Sequence, residues 1–218
     1  MPLPADYINS RVLSGKRGRR VLPVATLKQT WTDPAIADAD GISVSHVGAG
    51  SAGTTNQTIG GALASGGVAA LSPPRNVVIV VTHASAVVAM SGTITGTDWF
   101  DKAQTESWSV TAGTTSKTFT GAKAFKTVTS ITETVAADAS ANTIISGTGT
   151  KLGVSSPVSV ASAVKEIVDG SVVTNGTIVA ASTSASADPR GTYSPNTAPD
   201  GAHDYTIYYL SDSPESGD

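Results

Sequence analysis

From Arg75 to Leu210 the chain is a succession of short Val, Ile and Thr runs, broken by Gly and by Asn-Gly or Asp-Gly pairs. That punctuation admits few folds. β-Branched residues lose rotamer freedom in a helix and pack well on a pleated sheet. Asn76–Thr82 (NVVIVVT) is a continuous apolar run, which predicts a strand buried on both faces. Val87–Thr97 predicts a second strand with a break at Gly92. Thr105–Thr111 (TESWSVT) alternates, placing Trp108 and Val110 on one face and Ser107 and Ser109 on the other. Further strands are expected at Thr118–Phe119, Phe125–Val135, Asn142–Ser146, Leu152–Val154 and Tyr205–Leu210.

The sharpest local signal lies in the second half. Asp169-Gly170 and Asn175-Gly176 separate Ala163–Val168, Ser171–Thr174 and Thr177–Ala181. Both dipeptides suit type I′ turns, whose two central residues need positive φ, so a three-stranded meander is predicted. A helix over Ser162–Val168 is the competing reading, because Val164, Ile167 and Val168 also share a helical face.

The first third reads differently. Arg11, Lys16, Arg17, Arg19 and Arg20 crowd into SRVLSGKRGRR, either as a solvated charge run or as an arm laid on an acidic protein surface or phosphate. Residues 31–74 are rich in Gly, Ala, Ser and Thr and alone are too poor in large side chains to offset their own ordering entropy, so they form either edge strands or an extended tail that orders on a partner. Pro73-Pro74 cannot donate to a sheet ladder and marks the expected boundary. The expected organisation is an extended arm over residues 1–74, an antiparallel Ig-like β-sandwich over 75–212, and an acidic tail over 213–218. The class is all-β.

Composition narrows function mainly by exclusion. Charged residues are 14%, aromatics 5%, and Ser plus Thr number 56, so the core must be filled by Val, Ile, Leu and Ala. Such a core is thin per residue and benefits from burial against a partner. A net charge of −3 argues against nucleic acid as a partner. The absence of cysteine removes disulfides, thiolate catalysis and cysteine-ligated zinc. MPLPADYINSRVL has no signal-peptide apolar stretch, and no run approaches the roughly 18 apolar residues of a membrane span. No membrane partner is expected.

Reactive constellations are sparse. His46, His83 and His203 are scattered among so many serines that chance proximity discriminates nothing. Asp38-Ala39-Asp40-Gly41 lacks the later ligands of a calcium loop, and an Asx turn explains it. Gly48–Gly53 (GAGSAG) lacks the Lys-Ser/Thr ending of a phosphate cradle. No enzymatic activity, cofactor or metal is expected. Trp108 belongs in the core, and Tyr205, Tyr208 and Tyr209 divide between core and interface. Trp99-Phe100, between Asp98 and Asp101, reads as a loop tip that packs internally, docks on another protein, or meets a sugar. The candidate interface residues are Arg11, Lys16, Arg17, Arg19, Arg20, Trp31, Trp99, Phe100, Arg190 and Tyr193.

Three segments then suggest a lineage: Ile94–Asp98 (ITGTD), Ala124–Ile131 (AFKTVTSI) and Asp188–Asn196 (DPRGTYSPN). With their surroundings, over roughly residues 72–212, they resemble tailed-bacteriophage virion structural proteins, most closely small β-rich proteins that decorate or cement icosahedral heads. The resemblance implies a sandwich on the capsid outer surface, with the major capsid protein and further copies of itself (trimer or dimer) as partners. Synthesis would be in the bacterial host cytoplasm, and no catalytic residues carry over. A neck, tail or head-fibre protein, or a receptor- or glycan-binding module, is the alternative.

Overall fold

The computed structural model describes residues 25–161 and 164–211, and over them the chain is all-β. Its strands in chain order begin with β1 (Ala25–Trp31), β2 (Ser43–Val47), β3 (Gly53–Asn56), β4 (Ala64–Ser65) and β5 (Val68–Thr82). They continue with β6 (Met90–Thr97), β7 (Ala103–Val110), β8 (Ser116–Val135), β9 (Thr143–Gly153) and β10 (Val164–Val168). The last are β11 (Ser171–Val172), β12 (Thr177–Val179), β13 (Thr192–Ser194) and β14 (Tyr205–Ser211). Every ladder is antiparallel. A four-stranded sheet runs β1-β14-β10-β11. A larger sheet runs β12-β13-β9-β5-β8-β6-β7, with β2 added to β9, β3 to β8 and β4 to β5. The sheets curl into a sandwich-like body.

Strand β5 shows why the body curls. Val77, Ile79 and Val81 are fully buried while Val78 and Val80 are half-exposed, so NVVIVVT alternates rather than burying both faces. Its partner β8 is one strand of 20 residues where two were expected. The ladder between them slips: Val78 faces Thr120 but Asn76 faces Ala124, leaving residues 121–123 as a bulge. Side chains satisfy the backbone there. Glu106 Oε1 accepts from the Ala122 amide at 2.6 Å, Asp188 Oδ2 accepts from the Ala124 amide at 2.8 Å, and Gln104 Nε2 donates to the Ala124 carbonyl at 3.0 Å. Lys151 Nζ donates to the Gly121 carbonyl at 2.9 Å. A bulge lets a long strand turn a corner without orphaning its amides. Asn142–Ser146 and Leu152–Val154 likewise merge into the single bent strand β9, ending at Gly153.

Two expectations are corrected here. The described part of the expected arm, residues 25–74, is woven into the sheets: β1 pairs along its whole length with β14, and Ile42, Ala69 and Leu71 are core. Side-chain volume was a poor guide because these segments gain their order from backbone ladders along larger strands. Nor do Pro73-Pro74 divide the chain. They lie inside β5, in the gap between Ala70 and Arg75 where the β5–β8 ladder is interrupted and no donor is needed.

The predicted meander holds for two strands. At the β10–β11 turn Asp169 has φ 48° and Gly170 φ 80°, as a type I′ hairpin requires. After Val172 the chain crosses to the other sheet, where β12 pairs with β13. Asn175-Gly176 is therefore not a hairpin turn. The Asn175 side chain stands in for a strand, accepting from the Glu166 amide and donating to the Val164 carbonyl, each at 2.8 Å. A Cβ on Gly176 would sit 2.0 Å from the Ser194 carbonyl oxygen, so the crossing demands glycine. The helix alternative falls as well, since Val164–Val168 is strand β10.

The interior forms two clusters. One surrounds Ile79, Ile94, Phe125, Ile131 and Ile144, with Trp108 fully inside as expected. The other, between the four-stranded sheet and the far end of β9, holds Trp31, Leu152, Tyr193, Tyr205, Ile207 and Tyr209.

Candidate functional site

The five described candidate residues converge at one end of the molecule. Strands β6 and β7 are joined by a tight tip, Asp98–Lys102, with Asp98 as its anchor. Asp98 Oδ1 accepts from the amides of Phe100 (2.9 Å) and Lys102 (3.0 Å), and Oδ2 accepts from Arg190 Nη1 at 2.6 Å. Both members of this ion pair are buried. The Arg190 guanidinium lies 4.6 Å from the Phe100 ring centroid, a cation–π contact. Asp188 folds the 188–191 turn under Arg190 by accepting from its amide at 2.8 Å, and burial raises the Asp188 carboxyl above its usual range. Trp99 is thus flanked on both sides by fixed residues while its own ring is half-exposed.

Beneath the tip, Trp31 and Tyr193 stack with centroids 6.0 Å apart and planes 2° from parallel. Trp31 Nε1 donates to the Gly153 carbonyl at 3.2 Å, and the Tyr193 hydroxyl donates to Glu166 Oε2 at 2.6 Å. Glu166 is completely buried and also accepts from the Gly176 amide at 2.7 Å. Burial, then this hydrogen bond to a carboxylate, holds the Tyr193 hydroxyl far above its usual range. The candidates Trp31, Tyr193 and Arg190, expected to face a partner, are therefore interior to the single chain. Aromatic bodies with one polar tip fill a core well when the tip finds a partner, and a buried arginine persists when paired. Trp99 and Phe100 alone of the described candidates keep an open side. Arg11, Lys16, Arg17, Arg19 and Arg20 lie outside the described residues.

Between β1 and the start of β5, a cleft of about 530 Å³ opens under Trp99. Its walls carry Thr30, Ser72, Pro73, Lys126 and Thr127, with Trp31 in the floor. Lys126 Nζ is held by Asp101 Oδ2 at 2.6 Å. Ser72 on β5 and Lys126-Thr127 on β8 belong to no common local motif, and it is the pairing of those two strands beside β1 that brings them together.

His46 Nε2 lies 3.1 Å from Glu133 Oε2, whose other oxygen accepts from the Thr55 hydroxyl at 3.1 Å, and the Glu133 bond raises the His46 pKa. His203 is raised by its hydrogen bond to Asp200, with Nδ1 2.7 Å from Oδ2. Glu106 is raised by burial. Among the described residues no group of three or more His, Cys, Asp or Glu could hold a metal ion, and no helix is long and apolar enough to cross a membrane.

Of the seven exposed large apolar side chains among the described residues, four lie on strands with an open edge, which sequence reading missed, while Ile36 and Val160 lie in loops and Val68 on the interior strand β5. Val44 and Val47 on β2, Val172 on β11 and Val179 on β12 all face solvent, Val47 and Val172 with 66% and 63% of their surface exposed. β11 and β12 end their sheets, and β2 pairs on one side only, with β9. No protein-family model matches the chain, and neither curated proteins nor solved structures match it.

Proposed function

We propose that this chain is a structural virion protein of a tailed bacteriophage, one that binds the outer surface of the capsid and bridges neighbouring capsid subunits. The observation that carries the reading is the set of exposed valines on strands with unpaired edges. An open edge offers a row of backbone donors and acceptors, and an apolar side chain beside it adds area once a partner strand docks. Several such edges on one body give multivalent attachment, in which modest individual contacts suffice. The basic run Arg11–Arg20 supplies a complementary charge for acidic capsid patches.

The three resemblance segments also have a structural logic. Asp98 of the first pairs with Arg190 of the third, and Ala124 of the second donates its amide to Asp188 of the third. They form one junction that locks this body. A neck, tail or head-fibre position uses the same surfaces and differs in copy number.

The test is binding of purified protein to particles stripped of it, measured by co-sedimentation and gel densitometry. Saturable binding at many copies per shell is expected, and Val47→Lys with Val172→Lys should weaken it at least about tenfold. Saturation at one ring of copies would move the protein to the neck or tail. No binding, or binding indifferent to both lysines, overturns the reading.

A further inference from the structure

We propose that the cleft lined by Trp99 binds a neutral oligosaccharide, by stacking a sugar ring on the partly exposed indole. This inference stands apart from the capsid reading and needs neither a shell nor a partner copy.

The cleft has the right size and the right walls. About 530 Å³ lies within the range of small-ligand pockets and accommodates two or three sugar units. A sugar presents a ring of axial C–H groups on one face and hydroxyls around its rim. The Trp99 indole offers an electron-rich plane for the first. Thr30, Thr32 and Ser72 are exposed and line the cleft, and each hydroxyl both donates and accepts, as sugar hydroxyls require. The Thr30 hydroxyl already meets Thr206 at 2.9 Å, which orients it and leaves acceptor capacity free.

Trp99 is also held ready. Its neighbours on both sides are fixed by the Asp98 carboxylate, which ties the Phe100 and Lys102 amides and the buried Arg190. A half-exposed aromatic ring on a rigid tip gives up little further freedom on binding, so stacking contributes nearly in full. A ring that served only to pack would be better satisfied inside, as Trp31 and Trp108 are.

Charge selects among ligands. Lys126 is the cation at the cleft, and Asp101 at 2.6 Å neutralises it, so neither an acidic nor a basic ligand finds a free counter-charge there. A proline-rich peptide, which docks across a series of aromatic ridges, finds only one. Trp31 is no second ridge, being 3% exposed and stacked on Tyr193.

The full chain should be titrated with maltotriose, cellotriose and tri-N-acetylchitotriose, followed by tryptophan fluorescence and calorimetry, with decaproline in parallel. Saturable binding of at least one trisaccharide, with a change in indole emission, is expected. Trp99→Ala should weaken that binding roughly tenfold or more. Thr32→Trp, which fills the exposed lip and leaves Trp99 in place, should block it too, and both variants should keep the parent melting temperature. If no trisaccharide binds, if binding survives both substitutions, or if decaproline alone binds, the proposal is wrong. Shell attachment is read in a separate assay, so either proposal can fail while the other stands.

Discussion

Around Ile79 the interior is mostly aliphatic, whereas around Tyr193 it is aromatic and built over the buried Glu166 side chain. The first cluster is held by volume: Ile79, Ile94, Ile131 and Ile144 are all fully buried, and area removed from water does the work at about 25 cal/mol per Å². The second is stitched. Tyr209 donates to the Ser156 carbonyl at 3.1 Å, Tyr205 to the Ala198 carbonyl at 3.2 Å, Tyr193 to Glu166 and Trp31 to Gly153. Each of its aromatic rings thus carries a polar tip with a named partner. A chain with only 5% aromatics concentrates four of them where the small sheet meets the large one. Large aromatic bodies bury much surface there, and their hydrogen-bonded tips hold their direction.

The contrast predicts a graded set of losses. Tyr193→Ala should be the most damaging, at about 4 kcal/mol, because it removes the Trp31 stack and strips a partner from buried Glu166. Ile79→Val in the aliphatic cluster should cost about 1 kcal/mol. Urea unfolding gives both numbers. Hydrogen exchange sharpens the contrast: Tyr193→Ala should speed exchange in β1, β10 and β14 while β5 and β8 stay protected. Uniform loss of protection would mean that the two clusters are a single cooperative core.

Arg190→Met falls between those two, at about 3 kcal/mol, since it leaves Asp98 buried without its cation. The tip should loosen with it, seen as a red shift and depolarisation of Trp99 emission. An unchanged melting temperature would show that the two backbone amides alone satisfy Asp98.

The smallest effect belongs to His46. Its folded pKa is raised above the usual imidazole value of 6.5, chiefly by the hydrogen bond to Glu133. The stabilisation is therefore complete below pH 6.5 and lost as pH rises through the raised value. His46→Gln should abolish that pH dependence, worth less than about 1 kcal/mol for a pair with one half-exposed member. A stability profile with the same slope in parent and variant would assign the dependence elsewhere.

Much of the strand content was legible from residues. Trp108 alternates into the core, and Asp169-Gly170 makes its hairpin, because both depend on neighbours within a few positions. Asn175-Gly176 misled for the opposite reason. Its local chemistry suits a turn, but Glu166 and Val164 claim the asparagine side chain and Ser194 crowds the glycine. The candidate site was half legible. Trp99-Phe100 stood out as a tip, yet nothing nearby announced that Arg190, 92 positions from Asp98, would lock it. Trp31 and Tyr193 were recognised as important and assigned the wrong side of the surface, since a large aromatic suits a core and an interface equally.

Sequence alone determined that this protein is built of strands, because β-branched residues and tight turns act through local backbone preference. It also determined which residues are too large or too few to be idle. Tertiary structure decided where the weak-looking first third goes and which aromatics are hidden. A strand such as β1 draws its stability from the hydrogen bonds of β14, about 180 positions away along the chain. No local pattern encodes a partner at that distance.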